Sequence, residues 1–522
     1  MPEDQTVEEI AADLVVGGGR SGCRRGRGAT RPASCRAGKA GRLGGNTALS
    51  VGSIMTAGSR QQRRAGIVDT PAAHARDLDH IRHAMTAEDD PALRQLLTEN
   101  VADTLEFLHL MGINFLGPMP QPPHTASRLH QVMPTSGAYI ARLGRYCRKH
   151  GGEIRLNTRA AGLVTDAGRV VEAVTDGGRW LRAMARAAVV MSSGDIGGDN
   201  AIMHRYMKSW VDGIAVYNPL NVGEGHRIAA AIGPHIVPRK DLPAAIAAHV
   251  RPKPSLLQRI PPDPWLTAVI VRAMAILPSR LVRPFMMRFL TTTLGPNRGV
   301  YEEGAILVNK LGDRFADEIA GANLKIPNQP DGIAYIIFDE RFARKFSRWP
   351  HFISTAPDIA FAFIDDYRTA RPDPFHRADS LNDLARRLRS SPDRLAAAVA
   401  AANAARPEDN RLVEGPFYAL GPVKLWVLVA PVGLAVNTRL EALTETGVPI
   451  PGLYSAGNAG QAGFMIYRVT VTGSAGHSHR DGSRAGARQR GSPPTAPPRP
   501  RRVGRRRGRF RAATRNGTSG RA

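Results

Sequence analysis

Two glycine-rich segments near the start of the chain constrain its fold more than any other feature. The first, Val15-Val16-Gly17-Gly18-Gly19, reads as a strand entering a tight turn, with Gly17, Gly19 and Gly22 in a G-x-G-x-x-G pattern. Glycines in such a turn let the backbone approach a pyrophosphate, whose charge a helix N-terminus stabilises. The second segment, GRLGGNTALSVG at residues 41–52, is a loop of small residues. Together they predict a dinucleotide site.

The second segment resembles the FAD-binding loop of the fumarate reductase and succinate dehydrogenase flavoprotein superfamily, which has many soluble, single-chain oxidoreductase members. Two further segments are similar to motifs of that superfamily: PGLYSAGNAG at residues 451–460 and GAILVNKLGDRFADE at residues 304–318. The resemblance implies an α/β fold, with a Rossmann-like FAD-binding domain and an inserted α+β capping (lid) domain. The expected boundaries are 1–240 and 426–467 for the FAD-binding domain, 241–425 for the capping domain and 468–522 for a disordered basic tail.

The resemblance also implies which residues bind FAD. They come from the two glycine-rich segments, an adenine-facing hairpin, the end of a buried strand, an acidic turn and the 451–460 motif. The expected residues are Gly17, Gly19, Gly22, Gly44, Gly45, Asn46, Thr47, Ser50, Gly52, Val164, Ser193, Gly194, Glu224, Gly457 and Asn458. No metal site is expected, because the three cysteines have no metal-ligand spacing.

Residues 20–39 break the pattern between the two glycine-rich segments. They contain six Arg, one Lys and no acid, where a small apolar helix and a strand ending in a ribose-binding acid are expected. A reading frame shifted by one base permits GQAAAAAAARRGRRHAGLEK here, which supplies the helix and places an acid near Gly38. Our hypothesis is a frameshift between two compensating changes; the alternative is a divergent basic loop.

The C-terminal segment from Arg468 shows the same disturbance. A shifted frame over residues 468–485 reads GHGHRLGWAFTSGRLAG, which resembles the closing flavin-contacting turn and final helix of the superfamily. Segments 468–522 and 20–39 carry +14 and +7 of the formal charge of +26, and the remainder carries +5. The charge therefore does not predict a specific nucleic-acid partner, and binding through the tail would be nonspecific and salt-sensitive.

Two residues that serve catalysis in fumarate reductases are absent. The superfamily's proton-donating arginine lies eight residues after the arginine of its G-x-R-F motif, here Arg314, and that position is Ala322. A substrate-binding histidine is also missing from the stretch 429–434, VAPVGL. The remaining candidates for proton transfer are His130, Tyr139 and His351. The 304–318 motif is expected to form a strand, a tight turn and a second strand, in which Arg314 and Glu318 form a structural ion pair.

The expected function is FAD-dependent oxidation or reduction of a carbon–carbon bond, similar to that of a 3-ketosteroid dehydrogenase or an enoate reductase and not fumarate reductase proper. The apolar stretch 260–294 favours a hydrophobic small-molecule substrate; the electron donor or acceptor is unidentified. Its segment Trp265–Phe289 predicts amphipathic helices in a lid or at a membrane surface, and no transmembrane segment is expected. A cytoplasmic location follows from the N-terminal residues. The alternatives are a non-functional frameshifted product and nonspecific nucleic-acid binding by the tail.

Local patterns predict the elements around these motifs. Asp69 and Thr70 are expected to cap a helix beginning near Pro71, and a second helix should begin after Asp90. A third should span 136–150. A hairpin turning at Asp166-Ala167-Gly168 and a buried strand at 187–194 complete the prediction.

Overall fold

The computed structural model describes residues 8–18, 34–84, 90–121, 124–176, 180–206, 213–238, 245–249, 260–277, 287, 291, 295–356, 360–430 and 432–463. Gly19, Gly22 and the tail 468–522 lie outside the described residues. So do most of the residues to which the two frameshift hypotheses apply. No helix in these ranges is long and apolar enough to cross a membrane.

The strands and helices are numbered in chain order. The strands are β1 (Glu8–Gly18), β2 (Ser34–Ala37), β3 (Ser53–Met55), β4 (Asn114–Met119), β5 (Leu129–Met133), β6 (Glu153–Arg155), β7 (Ala160–Asp166), β8 (Arg169–Asp176), β9 (Trp180–Ser192), β10 (Ala215–Val216), β11 (Ile236–Pro238), β12 (Ala245–His249), β13 (Ile306–Asn309), β14 (Ala334–Phe338), β15 (Ser354–Ala356), β16 (Ala360–Ala362), β17 (Phe375–Ala378), β18 (Phe417–Val427), β19 (Val432–Leu434), β20 (Glu441–Leu443) and β21 (Pro449–Ser455). The α-helices are α1 (Gly45–Leu49), α2 (Arg60–Arg64), α3 (Pro71–Ala84), α4 (Pro91–Leu110), α5 (Gly137–Lys149), α6 (Asn200–Tyr206), α7 (Glu224–Ala230), α8 (Pro264–Ile276), α9 (Gly299–Glu302), α10 (Glu340–Lys345), α11 (Ile364–Ala370), α12 (Leu381–Leu388) and α13 (Pro392–Ala404).

The first large sheet contains the first glycine-rich segment. Its strand order is β20-β21-β9-β1-β2-β6; β21, β9, β1, β2 and β6 run parallel to one another, and β20 pairs antiparallel with β21. The hairpin β7–β8 extends the sheet through an antiparallel pairing of β8 with β9. A parallel sheet of this order is the expected Rossmann-like arrangement, so the predicted α/β fold is confirmed.

The second large sheet is built around β18. This strand pairs in parallel with β10 and antiparallel with β12, β14 and β17, while β13 pairs with β14. Apolar side chains from β13 and β14 pack on both faces into two buried clusters. Strand β18 runs across the expected domain boundary at 425/426, and the domain boundaries stay a prediction.

Most predicted local elements are confirmed. Thr70 Oγ1 accepts the amide of Ala73 at 3.1 Å and caps α3, and Asp90 caps α4 by accepting the amides of Ala92 and Leu93. The turn of the β7–β8 hairpin lies at Ala167 and Gly168, both with positive φ.

The 304–318 motif is predicted to form a strand, a tight turn and a second strand. The prediction of the second strand was wrong. Strand β13 forms, but after the turn only a single bridge joins Val308 to Arg314. Glu318 explains the difference: it folds back to accept the amide of Leu307 at 2.9 Å, and it is held by Arg314 at 2.7 and 3.0 Å. The predicted structural ion pair is therefore confirmed, and it takes the place of strand pairing.

Candidate functional site

A cleft with an empty volume of about 850 Å³ opens at the carboxyl ends of β2, β6 and β9. In open parallel sheets this is where nucleotide ligands bind. The lining residues come from both sides of the first large sheet and from the turn before α7. They are Gly38, Lys39, Ala40, Arg42, Leu43, Gly44, Gly45, Ile154, Arg155, Leu156, Thr158, Arg159, Ala160, Met191, Ser193, Asn218, Leu220, Asn221, Glu224, Gly225 and Ile228.

Four of the predicted FAD-binding residues line this cleft: Gly44, Gly45, Ser193 and Glu224. Gly44 and Gly45 are more than 100 residues from Ser193 and Glu224 in the chain, and the fold brings them to one place. Gly17 lies near the end of β1, between Ala37 of β2 and Met191 of β9. The loop residues Thr47, Ser50 and Gly52 follow the cleft-lining glycines along α1 and into β3.

Val164 is not on the cleft lining. It lies in the middle of β7, opposite Glu172 of β8, whereas the start of the same strand, at Arg159 and Ala160, reaches the cleft. The register of a hairpin is set by its turn, and the sequence pattern alone does not tell which end of the strand faces the ligand. The predicted adenine contact at Val164 stays a prediction.

A buried polar network lies against one side of the cleft. Asp195 Oδ2 accepts hydrogen bonds from the side-chain amides of Asn46 (3.0 Å), Asn221 (2.8 Å) and Asn458 (3.3 Å), and Oδ1 accepts the amide of Gly197 (2.9 Å). Burial raises the pKa of Asp195, and these hydrogen bonds oppose the rise. The network joins four chain segments that surround the cleft.

The network decides how two predicted FAD-binding residues are placed. The amide nitrogen of Asn46 is used by Asp195, and its oxygen accepts from Asn218 and Asn221. Asn458 likewise donates to Asp195. Both asparagines therefore orient the loops of the cleft through protein contacts, and their direct contact with a ligand stays a prediction.

Gly194 and Gly457 shape the backbone at the same place. Gly194 has φ +90°, and a Cβ on it would lie 2.6 Å from Asn221 Oδ1, so a larger residue would disturb the network. Gly457 has φ +67° and directly follows β21 and Ala456.

The cleft offers hydrogen-bonding groups that the described protein residues leave open. The hydroxyl oxygens of Thr47 and Ser193 are both buried, and neither has a hydrogen-bond partner among the described residues. Buried polar atoms in native proteins almost always have a partner; Ser193 is on the cleft lining and Thr47 is not, so of the two only Ser193 is placed to find its partner in a ligand of the cleft. A Cβ on Gly225 would lie 2.7 Å from Ser193 Cβ, so the close contact between the start of α7 and Ser193 requires a glycine. These features fit FAD.

One feature of the cleft departs from the expected FAD site. Gly38 stands where the ribose-binding acid is expected, and Lys39 beside it donates to Glu224 at 2.7 Å. Arg159 lies 3.7 Å from the other carboxylate oxygen of Glu224. Glu224 is therefore the one acidic side chain on this lining, and it supplies a carboxylate from the opposite wall of the cleft.

The three predicted catalytic residues do not meet, and none lines the cleft. His130 is buried in β5, with one ring nitrogen 2.9 Å from Ser59 Oγ and the other 2.8 Å from the Arg128 carbonyl; burial lowers its pKa. Tyr139 donates to the Gly52 carbonyl at 2.6 Å, and burial raises its pKa. His351 lies 3.8 Å from Glu303. Their catalytic roles stay predictions.

Sequence reasoning missed a buried polar cluster in the second large sheet. His249 ends β12, and its ring packs edge-on against Tyr367 with centroids 5.3 Å apart. Neither ring nitrogen of His249 has a hydrogen-bond partner among the described residues, and burial lowers its pKa to about 3. Tyr367 shares a 2.8 Å hydrogen bond with Ser354, and burial raises its pKa to about 12. The signal was a histidine closing the apolar run AIAAH.

The two positions that depart from fumarate reductases have apolar surroundings. Ala322 is buried at the start of a 3₁₀ helix, Ala322–Asn328, within the apolar cluster of the second large sheet. Residues 432–434 form β19, which is buried and pairs with β11. No cluster of potential metal ligands occurs in the described part of the chain.

The chain is similar in sequence to known oxidoreductases. The chain is 26% identical over 439 residues to a fumarate reductase (cytochrome) from Shewanella frigidimarina, covering 80% of this chain and 65% of the relative. It is 26% identical over 388 residues to an NADH:acrylate oxidoreductase from Vibrio harveyi, covering 70% of this chain and 33% of the relative. The chain thus spans at most about two thirds of the length of these two relatives.

Two solved structures share the fold. One is the open conformation of a flavocytochrome c3 fumarate reductase, with TM-score 0.60 and 21% identity over 87% of this chain and 74% of that chain. The other is 3-ketosteroid delta1-dehydrogenase from Sterolibacterium denitrificans in complex with 1,4-androstadiene-3,17-dione, with TM-score 0.55 and 15% identity over 86% of this chain and 94% of that chain.

The family model described as FAD binding domain matches residues 13–258 and 284–469, which is most of the chain. The matched ranges include the cleft, the polar network and both large sheets. The chain therefore belongs to the FAD binding domain family, and its cofactor is FAD.

Proposed function

We propose that this chain is an FAD-dependent oxidoreductase that adds or removes hydrogen across a carbon–carbon bond of a small apolar molecule. The observation that carries the proposal is the cleft at the carboxyl ends of the parallel strands, with the buried and unpartnered hydroxyl of Ser193 on its lining. Family membership supports the cofactor. The two relatives are named for reductions of fumarate and acrylate, which are both alkenes conjugated to a carboxylate.

The cleft residues have the task of holding the cofactor. Bound FAD supplies the hydride chemistry. Gly44, Gly45 and Gly225 leave room for close approach, and Ser193 offers a hydroxyl. The Glu224 carboxylate on the same lining is paired with Lys39 and Arg159. The Asp195 network keeps the surrounding loops in place without using those groups.

We assign substrate orientation to the buried cluster on the second sheet. With a pKa of about 3, the imidazole of His249 is neutral at ordinary pH, so it carries one N–H donor and one acceptor, both open. A neutral imidazole can donate a hydrogen bond to a substrate carbonyl and withdraw electron density from the adjacent carbon–carbon bond. The apolar residues around it favour a hydrophobic substrate.

The substrate preference is tested with the FAD-loaded full chain, reduced anaerobically, by following flavin reoxidation in a stopped-flow instrument. We expect 1,4-androstadiene-3,17-dione to reoxidise the flavin faster than fumarate by roughly two orders of magnitude. The reason is that this protein has Ala322 at the position of the arginine that donates a proton to fumarate in fumarate reductases. Rapid reoxidation by fumarate would refute the assignment. A purified chain that takes up no FAD would instead favour the non-functional alternative.

The second test replaces His249 with Phe, which keeps an aromatic ring in place and removes both ring nitrogens. The reoxidation rate should fall by about 10²–10³, the usual effect of losing one donor to a developing negative charge. The flavin content should not change, because His249 is not on the cleft lining. Since its pKa lies near 3, the wild-type rate should show no histidine ionisation from this group between pH 5 and 9.

His351→Asn is the matched control for this test. His351 lies beside Glu303, away from the His249 cluster of hydrogen bonds and ring contacts. If His351→Asn lowers the rate and His249→Phe does not, the sequence-based candidate is right and our assignment of His249 is wrong.

A further inference from the structure

The end of β2 reaches the cleft without the acid that the resemblance implies there. Gly38 directly follows β2; its amide donates to the Arg155 carbonyl at 3.0 Å, and its carbonyl accepts the amide of Thr158 at 2.9 Å. In dinucleotide-binding folds an acid at this place binds the ribose 2′-hydroxyl, whereas a nearby arginine accommodates a ribose 2′-phosphate. The residues around Gly38 therefore decide which ribose the cleft fits.

Cationic side chains on the cleft lining come from the two loops that meet at Gly38. They are Lys39, Arg42 and Arg159. Lys39 and Arg42 follow Gly38 on the loop after β2. Arg159 directly follows Thr158, whose amide binds the Gly38 carbonyl. The fold therefore holds cations from both loops beside the end of β2.

Positive charge exceeds negative charge on this lining. Lys39 and Arg159 share one carboxylate, that of Glu224, at 2.7 and 3.7 Å. Arg155, the fourth cation of the lining, is paired with the acid two residues before it. Arg42 is exposed, and it forms no ion pair within the described part of the chain. With both acids counted, two positive charges stay unbalanced, and a phosphate monoester, which carries close to two negative charges, would neutralise them.

We propose that this cleft binds adenosine nucleotides that carry a phosphate on the ribose 2′-oxygen in preference to those with a free 2′-hydroxyl. The phosphate is bound by Lys39, Arg42 and Arg159, in the space that Gly38 leaves because it has no side chain. A dinucleotide pyrophosphate uses the turn after β1 instead, so it does not need these cations. FAD has a free 2′-hydroxyl, and 2′-phosphorylated nucleotides therefore compete with it. This preference rests on the proposed function, because it concerns the same cleft.

Nucleotide binding to the full chain, measured by titration calorimetry, tests the preference. The probes are adenosine 2′,5′-bisphosphate, its 3′,5′ isomer and AMP. We expect the 2′,5′ isomer to bind at least about tenfold more tightly than either of the others, because a hydrogen bond to a charged group contributes at least that factor. The 3′,5′ isomer has the same charge, so nonspecific attraction to the basic tail strengthens its binding equally. In protein that carries FAD, the 2′,5′ isomer should release the flavin at a lower concentration than AMP.

Gly38→Glu places an acid at the end of β2 and should remove the preference. Gly38 has no positive φ, and a Cβ on it would lie 3.9 Å from the Arg155 carbonyl oxygen, an ordinary contact, so the backbone tolerates a side chain. The 2′,5′ isomer should then bind no more tightly than AMP, because the carboxylate repels its phosphate, and FAD should be retained better. Gly38→Ala is the matched control; it adds no charge and should keep the preference.

Arg42→Gln removes the cation that has no ion pair within the described residues. It should weaken binding of the 2′,5′ isomer about fivefold, the upper end of what an exposed ion pair contributes, and leave AMP binding unchanged. Arg64→Gln, which removes an exposed arginine outside the cleft, should change neither. Equal wild-type affinity for the two bisphosphates, or a preference that survives in both Gly38→Glu and Arg42→Gln, would overturn the proposal. With FAD still retained, either result would leave the proposed function standing.

Discussion

Replacing Arg128 with Leu should destabilise the protein by about 3–5 kcal/mol, because it leaves two buried carboxylates without their cation. The Arg128 side chain is completely buried; it forms two parallel hydrogen bonds with Asp69, at 2.7 and 2.8 Å, and a third with Asp77. The measurement is the free energy of unfolding in urea at neutral pH. Arg377→Leu, which breaks an exposed pair with Asp379, is the control and should cost less than about 1 kcal/mol.

The pH dependence follows from the same contacts. Burial raises the pKa values of Asp69 and Asp77, but the hydrogen bonds and charge of Arg128 outweigh it and hold both below the ordinary value. A lowered folded-state pKa stabilises the fold above the unfolded-state pKa, near 4, and the stabilisation is lost as pH falls through the folded-state pKa. The wild-type advantage over Arg128→Leu should therefore shrink below about pH 4. An advantage that stays constant down to pH 2 would contradict this.

Replacing Asp195 with Ala should weaken both the fold and FAD binding. The change leaves the side-chain amides of Asn46, Asn221 and Asn458 without their acceptor, and each buried unpaired donor costs about 1–3 kcal/mol. These residues hold separate segments around the cleft, so the loss should appear both as a lower unfolding free energy and as weaker flavin retention on gel filtration.

Asp195→Asn keeps the shape of the side chain and one acceptor oxygen, and it is the matched control for Asp195→Ala. It should therefore retain more FAD than Asp195→Ala. Normal flavin retention in Asp195→Ala would show that the network does not support the cleft.

The parts of the fold that depend on local patterns were predictable from the sequence. The caps of α3 and α4 and the turn at Ala167 and Gly168 follow from residue types at fixed offsets. The Arg314–Glu318 pair was predictable for the same reason. The absence of a second strand after Asp313 was not predictable. The Glu318 carboxylate accepts the backbone amide of Leu307, and a strand pattern in the sequence does not show such a contact.

The candidate site was predictable only where a motif carries it. Gly44, Gly45 and Ser193, which the resemblance singles out, line the cleft, and their contact with FAD stays a prediction. Asp195 was not among the expected site residues, because its partners come from three distant segments. His249 was missed because a buried histidine is recognised by its lack of partners in space, which no spacing in the sequence reveals.

Strand β18 determines when the second sheet can form while the chain is being synthesised. It pairs with four strands, and its partners include Ala215 as well as Ala378, so the second sheet stays open until residues near 427 have been made. The first sheet also waits, because β21 must reach β9 from the far end of the chain. Apolar strand edges are thus exposed throughout most of translation, and such long-range pairing is slow and prone to aggregation. The yield of folded protein in a cell should therefore depend on chaperones that hold the unfinished chain.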